Sequence, residues 1–262
     1  MDEIDELNLI VAEIDGRNVL DWDVTLNIKN LGVLIFYGNG AELGDFGQFA
    51  ESLKKEKLKT YPKENIIIVS MQNKNLFFDY LSKFNKFQIE ELHVFSHAAG
   101  GGLYLGYHNR ESGDSRNLAY QKSEKLKRRI TYEEVVNAEI GALFTDDYLT
   151  NKAIKVKNNK NLFSPTATIK LWGCNSGVSN WVYSDTPPTY YWSALNEKNT
   201  PKPAIAQATA NFFQRETFGA ISGSHIEFLV NGKWQIMNKQ PKNHQGIRLH
   251  PDKGNYISYK PK

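Results

Sequence analysis

The chain has 262 residues, 40% hydrophobic and 23% charged, which suits a soluble globular protein with one sizeable core. A formal net charge of +3, from 32 basic and 29 acidic residues, argues against a nucleic-acid-binding protein. No apolar stretch approaches the roughly 18 residues of a membrane span, so membrane insertion is excluded as well.

The first segment, over 4–28, alternates loosely between apolar and polar residues and predicts one or two peripheral strands. At 32–38 the run GVLIFYG, followed by Asn39 and Gly40, has the pattern of a strand buried on both faces. Helical spacing follows over 46–58 (Phe46, Phe49, Leu53), then a second buried strand over 65–70 and a second helix over 75–84. A third strand spans 91–96 and ends in His97 and the small residues AAGGG over 98–102. The polar stretch over 107–129 contains a basic run at 122–129 that lacks interleaved aromatic rings and reads as a solvated loop. Thr131 and Glu134 fit a capping box for a helix carrying Val135, Ala138 and Leu143. A fourth strand over 166–172 runs into GCNSG at 173–177. An aromatic segment over 181–192 (Trp181 to Trp192), a helix over 203–215 and a fifth strand over 218–222 come next. Asn231-Gly232 between two apolar runs predicts a β-hairpin.

Strands alternating with helices imply right-handed crossovers and a largely parallel sheet covered on both faces, an α/β fold. The pattern divides the chain into peripheral strands (1–31), a main domain (32–229), and a C-terminal hairpin and tail (230–262) packed on it. In such sheets functional groups gather beyond the carboxyl ends of the strands. His97 and Cys174 both stand at such ends, and adjacent parallel strands would bring them together. Cys174 is the only cysteine, which excludes an internal disulfide and a cysteine-rich zinc site. A thiol nucleophile needs exposure on a rigid element, a base nearby, and backbone N–H groups aimed at the developing oxyanion. Glycine and small polar residues around Cys174 form a turn able to supply these.

A strand ending in His plus small residues, followed by a strand ending in Gly-Cys-Asn-Ser-Gly, resembles the caspase-like (clan CD) cysteine peptidases. That group includes caspases, legumain, clostripain, gingipains and the self-processing domains of large bacterial toxins. The resemblance covers roughly 32–225 and implies a three-layer α-β-α sandwich. It implies that Cys174 attacks the scissile carbonyl to form a thioester, and that His97 protonates the leaving amine and then assists water. The backbone N–H groups of Ala98 and Cys174 would form the oxyanion hole, although relatives usually carry glycine where Ala98 stands. Trp172 falls at a position that commonly lines the primary specificity pocket. Ser222, Asn39 and Trp192 are further substrate-binding candidates, and the stretch 109–129 is where an activating self-cleavage would fall.

The implied function is a cysteine endopeptidase, either a regulated protease or the toxic domain of a bacterial effector. It would act on a protein or peptide substrate without metal or cofactor, with a regulatory or immunity partner. The acidic opening MDEIDE is unlike a secretory leader and predicts cytoplasmic placement or export by a signal-independent route. One alternative is a non-catalytic domain of the same fold that binds a partner. A nucleotide-binding oxidoreductase is the other, but GNGAELG over 38–44 departs from the dinucleotide spacing, and the second strand ends without an acid for a ribose. His93 and His97 are too far apart along a strand to share a metal, and no serine has the Gly-x-Ser-x-Gly context of a lipase-like hydrolase.

Overall fold

The computed structural model describes residues 30–40, 46–71, 73–99, 101–107, 142–179, 181–183, 192–194, 203–223, 225–237, 239–250 and 256–262. The strands expected over 4–28, the stretch 109–129 and the capping box at Thr131 lie outside these residues. From Leu31 to Lys262 the chain forms one compact unit. Among the described residues it has four α-helices and a largely parallel six-stranded central sheet.

The sheet is built from β1 (Leu31–Gly40), β2 (Ile66–Met71), β3 (Gln88–Phe95), β8 (Phe163–Leu171), β11 (Glu216–Ala220) and β15 (Tyr256–Tyr259). Their spatial order is β15-β11-β8-β3-β1-β2, with β15 antiparallel and the other pairs parallel. The order reverses direction at β1 and β3, which makes the carboxyl end of that region the place where an open α/β sheet presents a crevice.

Side-chain alternation divides the core in two. Leu34, Phe36, Leu92, Val94, Ile169 and Leu171 face α2 (Lys74–Lys83), α3 (Asn151–Lys157) and α4 (Ile205–Phe213). Val33, Ile35, Phe95 and Trp172 face α1 (Phe46–Lys57) on the other side, together with Phe228, Ile247 and Leu249 from a small sheet. That sheet comprises β12 (Ile226–Val230), β13 (Lys233–Ile236) and β14 (Gly246–Leu249), in the order β13-β12-β14. Asn231 and Gly232 have φ of 49° and 74°, the left-handed pair that a tight two-residue hairpin requires.

Two expectations change. Leu143 lies in a strand, β7 (Ala142–Phe144), rather than on a helix. Its step of five from Ala138 breaks helical spacing, and β7 pairs with β5 (Gly102–Tyr104), laying the Phe144 ring over Gly102. His97 stands just past the third strand but belongs to a strand of its own. β3 stops at Phe95, and His97 opens β4 (His97–Ala99), which folds back antiparallel on β5.

Candidate active site

β3 and β8 are parallel neighbours, with Leu92 beside Ile169, His93 beside Lys170 and Val94 beside Leu171. The ladder runs on past the strand end, where the Trp172 N–H donates to the Val94 carbonyl (2.9 Å). By this register Gly173 arrives beside Ser96, one residue before each member of the predicted pair. The approach is so close that a Cβ on Gly173 would lie 2.3 Å from the Ala98 Cβ, 2.8 Å from the Ser96 carbonyl oxygen and 3.0 Å from the Ala98 nitrogen. The residue preceding Cys174 is thus pressed onto the residue following His97. Glycine is required at 173 for this contact, and the Ala98 methyl fills the space that its missing side chain leaves.

The turn that carries Cys174 is held from several sides. Asn175 adopts the left-handed conformation (φ 59°), reversing the chain directly after the thiol. The Asn175 N–H donates to the Ser222 carbonyl (3.1 Å) and the Gly177 N–H to the Ala220 carbonyl (2.7 Å), fastening the turn to the end of β11. Buried Ser176 donates through its hydroxyl to the Leu171 carbonyl (3.2 Å) and accepts from the Ala220 N–H (3.0 Å). The Ser176 carbonyl accepts from the Ala206 N–H (3.1 Å), satisfying one of the free donors in the first turn of α4. Two tyrosines of β15 add bonds from Tyr256 to the Trp172 carbonyl (3.1 Å) and from Tyr259 to the Gly177 carbonyl. Cys174 itself is half-buried and forms no disulfide.

On the opposite strand end, Phe46, the first residue of α1, packs edge-on against the His97 imidazole with ring centres 4.9 Å apart. The small residues after His97 serve packing. Ala98 meets Gly173, Gly101 accepts from the Thr145 N–H (3.1 Å), and Gly102 lies under Phe144.

Trp172 is buried on the α1 face. It stacks on Phe95 (5.2 Å, 11°), and the Lys170 ammonium sits 4.0 Å above its centre. Its indole N–H donates to His93 Nδ1 (3.2 Å). Because an indole N–H can only donate, His93 Nδ1 must carry a lone pair, and His93 is the neutral tautomer with its proton on Nε2. That proton goes to Glu91 (2.8 Å), which also meets Lys57 (2.5 Å) and the Tyr61 hydroxyl (3.1 Å). Burial pushes the His93 pKa down, only partly opposed by Glu91. For Glu91, burial acts upward but is outweighed by the hydrogen bonds from His93 and Lys57 and by the Lys57 charge, which hold it at about 2.

Trp172 also lines a cavity of about 540 Å³ on the α1 face, with Phe49, Phe95, Lys170, Trp234 and Arg248. Cys174 and His97 are not among its described lining residues. Of the other candidates, Ser222 touches the Cys174 turn through its carbonyl. Asn39 stands near the carboxyl end of β1, beside Gly106 of the short β6 (Gly106–Tyr107). Trp192 lies in β10 (Trp192–Ala194), opposite Tyr183 of β9 (Trp181–Tyr183). No local sequence pattern marks the β15 tyrosines, and His93 stands out only as a histidine on a buried strand.

Among the described residues no group of three or more His, Cys, Asp or Glu could hold a metal ion, and no helix is long and apolar enough to cross a membrane. No protein-family model, curated protein or solved structure matches the chain.

Proposed function

We propose that the protein is a cysteine endopeptidase of caspase-like fold in which Cys174 and His97 form the reacting pair. The observation that carries the reading is the contact between Gly173 and Ala98, because it joins the residue before the thiol to the residue after the imidazole. The position of this contact, beyond the carboxyl ends of neighbouring parallel strands, supports it further.

In the proposed reaction the Cys174 thiol gives its proton to His97 and its sulfur attacks the scissile carbonyl. The backbone N–H groups of Cys174 and Ala98 stabilise the oxyanion. The C–N bond then breaks, His97 returns the proton to the leaving amine, and a thioester remains. Water, losing a proton to His97, attacks the thioester and releases the acid and the free thiol. Ala98 fits this scheme despite replacing the usual glycine, since its methyl packs against Gly173.

The test is mass-spectrometric analysis of a peptide library incubated with wild type, Cys174→Ala and His97→Ala. Cleavage by the wild type that disappears in both variants is expected. Cleavage that survives in Cys174→Ala refutes the mechanism.

A further inference from the structure

The last strand of the chain reaches both ends of the nucleophile turn. The Tyr256 hydroxyl donates to the carbonyl two residues before Cys174, and the Tyr259 hydroxyl to the carbonyl three residues after it. We propose that Tyr256 and Tyr259 are positioning residues that clamp the Cys174 turn in its reactive geometry, which makes β15 part of the site. The inference rests on the reading of Cys174 as the nucleophile.

The turn needs such a clamp because of its own composition. Gly173 has the freest backbone of any residue type, and it directly precedes the thiol. The space that a Cβ at 173 would take is filled by Ala98 and the Ser96 carbonyl, so a larger residue cannot supply the stiffness. The remaining means of fixing the turn is to hold its peptide planes from outside. The Tyr256 bond fixes the plane between Trp172 and Gly173, which sets the direction from which the Gly173–Cys174 peptide leaves. That peptide carries the Cys174 N–H assigned to the oxyanion. On the far side, the bond from Tyr259 fixes the plane following Gly177, where the chain packs against Gly219 so closely that a Cβ on Gly177 would lie 2.6 Å from its carbonyl oxygen.

The two tyrosines are three residues apart on a strand, so they stand on opposite faces of the sheet. Tyr256 packs with the α1-side core and Tyr259 with the α2-, α3- and α4-side core. The turn is therefore gripped from above and below the sheet, at the strand neighbouring β11. The tyrosine rings also pack: that of Tyr256 meets Trp172 edge-on (5.5 Å, 71°) and lies beneath Lys170 (4.3 Å). Replacement by phenylalanine keeps these contacts and removes only the hydroxyl, which separates clamping from packing.

The experiment compares Tyr256→Phe, Tyr259→Phe and the double variant with Tyr148→Phe. Tyr148 is buried and bonds Thr209 (2.7 Å) on the side of α4, so its variant loses a comparable bond away from the turn. Three quantities are read: the iodoacetamide alkylation rate of Cys174 across pH 6 to 9, kcat and KM for a peptide cleaved by the wild type, and Tm. Misplacing a reacting group by about 1 Å costs roughly a hundredfold in rate. Each single clamp variant is therefore expected to lower kcat by about tenfold with KM within about twofold, and the double by about a hundredfold. Alkylation of Cys174 should shift in rate or pH midpoint in the clamp variants and stay as in wild type in Tyr148→Phe. A double variant with wild-type kcat and an unchanged alkylation profile, whatever its Tm, overturns the clamp; the single variants decide if the double does not fold. Cleavage that persists in Cys174→Ala would instead sink the peptidase reading, and alkylation alone would then judge the clamp.

Discussion

Placing a methyl group on Gly173 tests the contact on which the site is built. In Gly173→Ala the new Cβ would meet the Ala98 Cβ at 2.3 Å, with the Ser96 carbonyl oxygen at 2.8 Å and the Ala98 nitrogen at 3.0 Å. All three are backbone or backbone-fixed atoms, so none can swing aside as the tip of a long side chain would. Overpacking of this kind costs about 1–3 kcal/mol. At about 2–4 °C per kcal/mol for a domain of this size, Tm should fall by several degrees. Ala98→Gly removes a buried methyl worth about 0.8 kcal/mol and adds backbone freedom worth about 0.5–1 kcal/mol. In the double variant Gly173→Ala, Ala98→Gly, the methyl moves from one strand end to the other. The Cβ–Cβ overlap disappears while the two backbone contacts remain, so rescue is partial. The combined loss should be smaller than the sum of the two single losses by about 1 kcal/mol, well outside the roughly 0.3–0.5 kcal/mol scatter of independent sites. Urea unfolding of the four proteins measures this coupling. A Gly173→Ala protein as stable as wild type, or losses that simply add, would show that the two strand ends do not meet as described.

The buried His93–Glu91 pair predicts how stability varies with pH. Because burial lowers the His93 pKa, the unfolded chain takes up a proton below about pH 6.5 that the folded chain refuses. Stability is therefore full above about pH 6.5 and declines as pH falls, and His93→Gln should flatten that first decline in urea unfolding. Glu91, depressed to about 2 from an ordinary 4.5, adds a second loss between those two values. Trp172→Phe keeps the stacking on Phe95 but strands the His93 Nδ1 acceptor, for a loss of about 1–3 kcal/mol in the same assay; no loss would mean that the indole bond is dispensable. Ser96 is buried with no hydrogen-bond partner for its hydroxyl among the described residues. Removing such a hydroxyl relieves a desolvation cost of about 1–3 kcal/mol, so Ser96→Ala should raise Tm, and a lowered Tm would reveal a bonding partner.

Much of the sheet was legible because strands buried on both faces leave short, continuous apolar runs. GVLIFYG over 32–38 and the run over 65–70 could be placed within a residue or two of β1 and β2. Asn231-Gly232 identified the β12–β13 hairpin through its turn chemistry alone. The strand-end addresses of His97 and Cys174 were likewise visible, but their junction was not. It depends on a fit between Ala98 and Gly173, two small residues whose meaning comes only from each other. Trp172 stands out in the sequence only by its distance from the cysteine, whereas its partners Phe95, His93 and Tyr256 are gathered by pairing across the sheet. β4, β5 and β7 have three residues each, too few to show a period. The tyrosine pair of β15 lies about 80 positions beyond the turn that it holds, and no local pattern announces such a contact.

The roles assigned to Cys174 and His97 can be separated by trapping the covalent intermediate. Above about pH 8.5, where an ordinary thiol ionises without a base, a peptidyl ester with a good leaving group needs no help from His97 for acylation, but its thioester still needs a base for hydrolysis. Intact-mass analysis after an acid quench should therefore find the acyl group on Cys174, transient in wild type and accumulated in His97→Ala. Cys174→Ala should carry none. An acyl group mapped to another residue, or labelling that persists in Cys174→Ala, would contradict the account at its centre.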